Sequence, residues 1–171
     1  MNWYKKANKC SGWAAVTCNK TISKKVQDWG KKNIPKEELT NDGRETETHI
    51  TLMYGICTDN GELVKQIFAE EGKIEASFGN VSFFSKDSDH DVVIIKIISK
   101  DLERLHKKIK EELNIETTFN DYKPHCTVAY VKNGEGRKYA GDTYFKGTKL
   151  IFDKVIFDNS KDKRTEIKLG K

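Results

Sequence analysis

Proline, cysteine and long apolar runs are all scarce in this sequence. Its 171 residues include two prolines and four cysteines, and no apolar stretch approaches the roughly 18 residues that a membrane-spanning helix needs. The N-terminal residues 1–6 lack the apolar stretch of a secretory signal. Because the cysteines also show no CxxC spacing, we predict four reduced thiols in a cytoplasmic protein that contacts no membrane.

Charge is abundant and nearly balanced. Charged residues make up 33% of the chain, hydrophobic residues make up 36%, and the formal net charge is +5. Because no Ser/Pro/Gly-rich segment marks a linker, we predict a single domain over residues 1–171. The positive charge favours a polyanionic partner only mildly, and a small phosphate ligand would suit it as well as a long nucleic acid.

Two short segments share one pattern of residues. Residues 48–55 are THITLMYG, and residues 124–131 are PHCTVAYV. Each segment holds a histidine and a threonine two apart within an apolar, β-branched run, which predicts a strand. Since residues i and i+2 of a strand project from the same face, each segment presents an imidazole beside a hydroxyl. These four side chains are those of His49, Thr51, His125 and Thr127.

A repeated order of elements leads to the two segments. In each case a predicted strand, a helix and a polar loop precede the histidine strand: 13–18, 22–32 and 33–47 in the first, and 92–98, about 99–113 and 114–123 in the second. We therefore predict half-repeats over about 12–55 and 91–131. We expect them to pack about a pseudo-twofold axis, with their histidine strands facing each other across a groove.

The rest of the chain gives shorter elements. We predict a helix over about 62–71, and a hairpin or a bulged strand over 74–84 because glycine and asparagine interrupt the alternation there. We also predict one strand over about 149–158 and another over 165–169. Residues 133–142 are rich in glycine and charge, which indicates a mobile surface loop that could act as a lid.

A pair of histidines can perform general acid–base chemistry. Imidazole ordinarily titrates near 6.5, so at neutral pH a neutral histidine can take a proton from a hydroxyl while a protonated one gives a proton to a leaving oxygen. Phosphodiester cleavage needs both acts, together with stabilisation of charge on the phosphorus oxygens. Threonine hydroxyls can donate hydrogen bonds to those oxygens, and this scheme requires neither a metal nor a cofactor.

These residues resemble a known family. His49-Ile50-Thr51 and His125-Cys126-Thr127, each in one half of a duplicated unit, are similar to the two signature motifs of the 2H phosphoesterase (LigT-like) superfamily. The resemblance covers about residues 12–170 and implies an α+β fold with two lobes. We expect each lobe to contain an antiparallel sheet beside a central cleft, with the helices outside. The opening at 12–16 and the lysine-rich closing hairpin are most similar to the phage branch that destroys cyclic oligonucleotide signals of CBASS immunity.

The resemblance implies roles for particular side chains. His49 and His125 would be the acid–base pair, Thr51 and Thr127 would hold the phosphate, and an aromatic at the position of Trp13 would stack on a base. It also implies metal-independent cleavage of a cyclic di- or trinucleotide, without an obligate protein partner and in the host cytoplasm if the protein is phage-encoded. An RNA-end or 2′,3′-cyclic nucleotide phosphodiesterase is the alternative, and a non-catalytic nucleotide-binding module is a second one.

Other candidate residues admit ordinary interpretations. Trp13 suits core packing as well as stacking, and Lys123 could meet a phosphate or simply be solvated. Phe83 and Phe84 must face opposite ways, and we choose Phe83 as the substrate-binding candidate.

The alternation of side chains along a strand gives further expectations. Tyr54 and Tyr130 lie at odd offsets from the threonines, so we expect them to face away from the site. His90 and His106 are expected on the surface. Chelation of a metal by His125 together with Cys126 is disfavoured, because adjacent strand residues point oppositely.

Overall fold

The computed structural model describes residues 10–86, 89–119 and 121–170. Residues 1–6, where no secretory signal was expected, therefore lie outside the described residues. The helices are α1 (Lys20–Asn33), α2 (Gly61–Ile67) and α3 (Lys100–Glu112), with short 3-10 turns at Lys36–Glu38 and Gly136–Tyr139. Within the described part of the chain, no helix is long and apolar enough to cross a membrane.

The described residues also form nine antiparallel strands. They are β1 (Gly12–Thr17), β2 (Leu39–Arg44), β3 (His49–Ile56), β4 (Ile74–Lys86), β5 (His90–Ile98), β6 (His125–Lys132), β7 (Lys149–Phe152), β8 (Lys154–Asp158) and β9 (Arg164–Lys168). β4 is one strand with an irregularity between Phe78 and Val81, which confirms the bulged alternative. The single strand predicted over 149–158 is wrong, because the chain breaks into β7 and β8 at Asp153.

Two parts of the chain share one order and pairing of elements. β1, α1 and β3 form the first unit and β5, α3 and β6 the second, and within each unit the first strand pairs with the histidine strand. Both helices begin with a side-chain N-cap. The Asn19 side chain accepts a hydrogen bond from the amide of Ile22 at 2.9 Å, and the Ser99 hydroxyl accepts one from the amide of Leu102 at 3.1 Å.

All strands belong to one hydrogen-bonded sheet, so the expectation of two separate sheets is not confirmed. The order is β7-β4-β5-β6-β3-β1-β8-β9, and β2 also pairs with β6. The two histidine strands are neighbours in this sheet, joined at the pair Ile50–Cys126. Because one residue separates β7 from β8, although they occupy distant places in the order, the sheet must curl to bring them together.

Each helix packs against the histidine strand of the other unit. In α1, a Cβ added at Gly30 would lie 3.0 Å from Val128 of β6, so α1 packs closely on the histidine strand of the other unit. In α3, the His106 ring lies 2.7 Å from the Leu52 carbonyl of β3. One buried apolar cluster runs through both units, which explains why the two histidine strands are held side by side.

Two cysteines depart from the prediction of reduced thiols. Cys10 and Cys57 form a disulfide, with an S–S distance of 2.10 Å across 47 residues of sequence. The pairing Gly12–Ile56 at the start of β1 brings the two cysteines together, and sequence spacing alone does not reveal this contact. Cys18 and Cys126 are free thiols, and burial raises the pKa of each.

The loop at 133–142 is anchored, contrary to the expectation of a mobile surface loop. The buried carboxylate of Asp91 accepts hydrogen bonds from the amides of Gly134 and Gly136, at 3.0 and 2.9 Å. Further along, the amide of Gly141 donates to the carbonyl of Val81 at 2.9 Å. The loop is therefore fixed to β4 and β5 at both ends.

Candidate active site

The four predicted side chains come together on one face of the sheet. Ile50 and Cys126 are fully buried, so the residues that flank each of them project from the opposite side. We call that side the histidine face, meaning the sheet face that carries His49, Thr51 and His125 together with Thr127. His49, Thr51 and His125 are half-buried, and Thr127 is 8% exposed.

The strand register sets the relation between the two motifs. Continuing the antiparallel pair Ile50–Cys126 by one residue each way places His49 opposite Thr127 and Thr51 opposite His125. The two histidines are then diagonal neighbours, which in a regular antiparallel pair lie about 7–8 Å apart. Such a spacing leaves room for a phosphoryl group between the imidazoles, with one hydroxyl beside each of them.

Both imidazoles are held by the same kind of contact. His49 Nδ1 lies 2.6 Å from the carbonyl oxygen of Glu47, and His125 Nδ1 lies 2.7 Å from that of Lys123. A carbonyl oxygen only accepts, so each Nδ1 must carry the hydrogen and donate it. In the neutral form of each ring, Nε2 then carries the lone pair, so Nε2 is the nitrogen that can exchange a proton with a substrate.

An aromatic ring stands edge-on to each histidine. The ring of Trp13 lies 5.0 Å from that of His49 at 90°, and the ring of Phe84 lies 4.9 Å from that of His125 at 85°. Phe84 and not Phe83 therefore accompanies the histidines. Phe83 lies on the opposite side of β4. A Cβ added at Gly136 would lie 3.1 Å from the Cβ of Phe83 on that side.

Trp13 also contacts a threonine of the site. Its indole Nε1–H donates to the Thr51 hydroxyl at 3.0 Å. Since this hydroxyl accepts from the indole, its own hydrogen remains available for donation to a phosphate oxygen. The structure thus places Trp13 in the site and assigns it a contact that neither core packing nor base stacking would supply.

The tyrosines face the site, so the expectation that they point away is wrong. The partners in β1 shift between Ala14 and Ala15, which inserts one extra residue into β3 after Thr51. A matching shift in β5 inserts one after Thr127 in β6. Each bulge reverses the alternation, so Tyr54 and Tyr130 fall on the histidine face.

Lys96 is a candidate that the sequence analysis missed. It pairs directly with His125 across β5 and β6, so its exposed side chain shares the histidine face. As the only charge in VVIIKII, it marks an exposed position in an otherwise apolar strand, and this was the available signal. Lys123 contributes its carbonyl oxygen to the hydrogen bond with His125, and its side chain is exposed.

A second layer supports the bulge of β3. Tyr122 donates its hydroxyl to the Thr51 carbonyl at 2.8 Å, and His106 Nδ1 lies 2.7 Å from the Leu52 carbonyl. The His106 and Tyr122 rings stack at 4.0 Å with an interplanar angle of 2°. Burial lowers the pKa of His106, which favours the neutral ring that donates to the carbonyl. His106 is therefore a half-buried support and not the surface residue expected, whereas His90 begins β5, 6.0 Å from the ring of Tyr130.

Arg164 secures the strand end that holds His49. Its guanidinium binds Asp158 through two hydrogen bonds of 2.8 Å and binds Glu47 through a third of 2.8 Å. Asp158 is the β8 partner of Trp13, and the Glu47 carbonyl holds His49. These contacts, hydrogen bonds to Asp158 first, raise the pKa of Arg164 further above its ordinary value. A polar pocket of about 290 Å³ lies beside this cluster.

The side chains with the spacing of a metal-ligand set lie outside the histidine face. In the described ranges, one set of side chains has the spacing of a ligand set, namely Cys10, Cys57 and Glu116. Because its two sulfurs are joined to each other, this set lacks the thiolates that bind metals. Neither His49 nor His125 belongs to it.

The fold is shared with several solved structures. TT0787 of Thermus thermophilus has a TM-score of 0.65 at 16% identity, over 93% of this chain and 97% of that one. Kluyveromyces marxianus Usb1 with uridine monophosphate also has 0.65, at 8% identity, over 94% and 99% of the respective chains. Escherichia coli LigT complexed with phosphate has 0.60 at 13% identity, over 94% of each chain.

The sequence itself supplies the family. Residues 20–147 match the model of the 2′-5′ RNA ligase superfamily, and the chain belongs to that superfamily. A search of curated proteins finds no match. The recognition of a LigT-like 2H phosphoesterase is thereby confirmed at the superfamily level, and the narrower likeness to the phage branch has no counterpart among these findings.

Proposed function

We propose that this protein is a metal-independent phosphodiesterase that acts next to a ribose 2′-hydroxyl. The observation that carries the proposal is the matched pair of histidines. Each Nδ1 donates to a backbone carbonyl, so Nε2 is the nitrogen of each ring that can exchange a proton, on the face where the two threonines also lie. Membership of a superfamily of phosphoesterases supports the same reaction class.

The reaction balances with these side chains alone. The neutral histidine takes the proton from the 2′-hydroxyl, and the 2′-oxygen forms a bond to phosphorus. The bond from phosphorus to the 5′-oxygen breaks, and the protonated histidine gives that oxygen its proton. The products are a 2′,3′-cyclic phosphate and a free 5′-hydroxyl, while Thr51, Thr127 and Lys96 stabilise the charge on the non-bridging oxygens.

The 3′ end of a linear RNA is the first substrate that we propose. The superfamily is named for 2′-5′ RNA ligases, and a similar fold holds uridine monophosphate in Usb1. The cyclic di- or trinucleotide favoured by the sequence is the second candidate. One aromatic ring lies at each histidine, Trp13 at His49 and Phe84 at His125. Two such rings would suit a ligand with two bases, which supports this second candidate.

The test is product analysis on a panel of substrates. Purified protein in EDTA would be incubated separately with a short RNA, 3′,3′-cyclic GMP-AMP, cyclic tri-AMP and adenosine 2′,3′-cyclic phosphate, followed by chromatography. We expect RNA shortened from its 3′ end, and no product from His49→Ala or His125→Ala. Linearised cyclic nucleotides with intact RNA would move the assignment to the second candidate.

Two results would overturn the proposal. Cleavage that survives in both histidine variants would mean that other residues carry the chemistry. Ligand binding without any turnover would instead identify a nucleotide-binding module. His90→Ala is the matched control, since it removes an imidazole from the start of β5, away from the threonines.

A further inference from the structure

The histidine face continues beyond β6 across β5, β4 and β7. Lys96 pairs with His125, and Ile98 lies two residues further along β5 on the same side. Ile98 pairs with Ser77 of β4, and Ser77 pairs with Lys149 of β7. Ile151 follows two residues after Lys149, again on the same side. We call Lys96, Ile98, Lys149 and Ile151 the outer patch.

The composition of the outer patch is unusual for a solvated surface. In β7 the side chains alternate between exposed and buried, and an exposed position would ordinarily be polar. Nevertheless Ile151 is 63% exposed and Ile98 is 65% exposed. Single exposed apolar residues are common, but these two lie on the same face, two strands apart, with Ser77 and Glu75 of β4 between them. The arrangement gives an open, partly apolar surface.

Charge on the outer patch favours an anionic chain. Among the described residues, neither Lys96 nor Lys149 forms an ion pair, and both are exposed. Glu75, the β4 partner of Ile151, is an acidic residue on the same face. The two ammonium groups of the outer patch alternate with two isoleucines, an arrangement that would suit phosphates alternating with bases.

The distance from His125 on β6 to the far side of the outer patch on β7 sets the number of nucleotides that this surface can bind. Strands in a sheet lie about 4.8 Å apart, so three spacings from β6 to β7 cover about 14 Å. Stacked nucleotides rise by about 3.4 Å each, so the surface is several nucleotides long. A cyclic dinucleotide returns on itself, whereas a linear chain that continues from the cleaved phosphate can follow the face to β7.

We infer that the outer patch binds the single-stranded RNA adjoining the cleaved phosphate. This inference rests on the proposed function, in which His125 works at that phosphate beside Lys96. The lysines would contact backbone phosphates, and the isoleucines would contact bases without sequence preference. The patch would therefore determine affinity for long substrates and leave the chemical step unaffected.

The test uses the double variant Lys149→Ala/Ile151→Ser. On the dinucleotide ApA, which has one phosphodiester beside a 2′-hydroxyl and is too small to reach β7, we expect kcat/KM within about twofold of the wild-type value. On an RNA of about eight nucleotides we expect KM to rise at least fivefold with kcat unchanged. The matched control is Lys107→Ala/Leu63→Ser, since both residues are exposed on helices that pack on the opposite face of the sheet.

A binding measurement separates this inference from the proposed function. Fluorescence anisotropy with a labelled 2′-deoxy oligonucleotide needs no turnover, so it reports on the patch even if no substrate is cleaved. We expect weaker binding by the double variant, and a salt dependence reduced by about 0.7 in the slope of log K against log salt for the lost lysine. Unchanged affinity relative to the control variant, or an equal loss on the small substrate, would overturn the inference. A loss confined to cyclic dinucleotides would overturn it as well.

Discussion

The hydrogen bond from Trp13 to Thr51 gives a sharp prediction about catalysis. Phenylalanine at position 13 keeps an aromatic ring beside His49 but cannot donate to the Thr51 hydroxyl, which is 3.0 Å from the indole nitrogen. One neutral hydrogen bond is worth about 1 kcal/mol. If that bond aims the hydroxyl at the phosphate, Trp13→Phe should lower kcat by about threefold to tenfold.

A double-mutant cycle shows whether the loss acts through the hydroxyl. Thr51→Val removes the donor itself, and removal of a comparable transition-state donor costs about 10²–10³-fold in kcat. With the hydroxyl gone, Trp13→Phe should have less than about a twofold further effect. A role in base stacking would instead raise KM in Trp13→Ala and leave kcat unchanged.

The assay is steady-state cleavage of a short RNA in EDTA by the four proteins of the cycle. A kcat of Trp13→Phe equal to that of the wild type, or additive effects of the two substitutions, would show that the indole does not act through the Thr51 hydroxyl. Phe84→Leu is the control, because Phe84 contacts His125 but makes no hydrogen bond to a threonine.

Three further predictions concern stability and order. Hydrogen bonds from Arg104 and Lys108 lower the pKa of Glu71 from 4.5 to about 2. The stabilisation from these hydrogen bonds is therefore complete above pH 4.5 and is lost as the pH falls toward 2. Glu71→Gln should lower the free energy of unfolding in urea by about 1 kcal/mol at pH 7 and should leave it unchanged near pH 2. Cys57→Ser, which opens a crosslink over 47 residues, should cost about 2–4 kcal/mol, and dithiothreitol should lower the Tm of the wild type alone. Asp91→Ala should speed amide exchange in residues 133–142 and leave exchange in α3 unchanged.

Much of the site could be predicted from the sequence because the signals are local. A histidine and a threonine two apart in a strand must share a face, and the burial of Ile50 and Cys126 confirms the alternation. The capping side chains of α1 and α3 were predictable for the same reason. The repeat of strand, helix and histidine strand also follows from periodicity alone.

The remaining features depend on contacts that no local pattern contains. One inserted residue after each threonine turns Tyr54 and Tyr130 toward the site, and a period-two argument cannot detect a bulge. The bond between Cys10 and Cys57 depends on strand pairing. Likewise, Phe84 reaches His125 only through the register of β4 on β5 and of β5 on β6.

The proposed reaction requires the two histidines to act as one acid–base unit. The most direct measurement is kcat for RNA cleavage in EDTA by wild type, His49→Ala, His125→Ala and the double variant. We predict that each single variant loses about 10²–10⁴-fold and that the double variant loses little more, because removal of either partner disables the pair. Single variants within about threefold of the wild type, or losses that multiply in the double variant, would contradict the account.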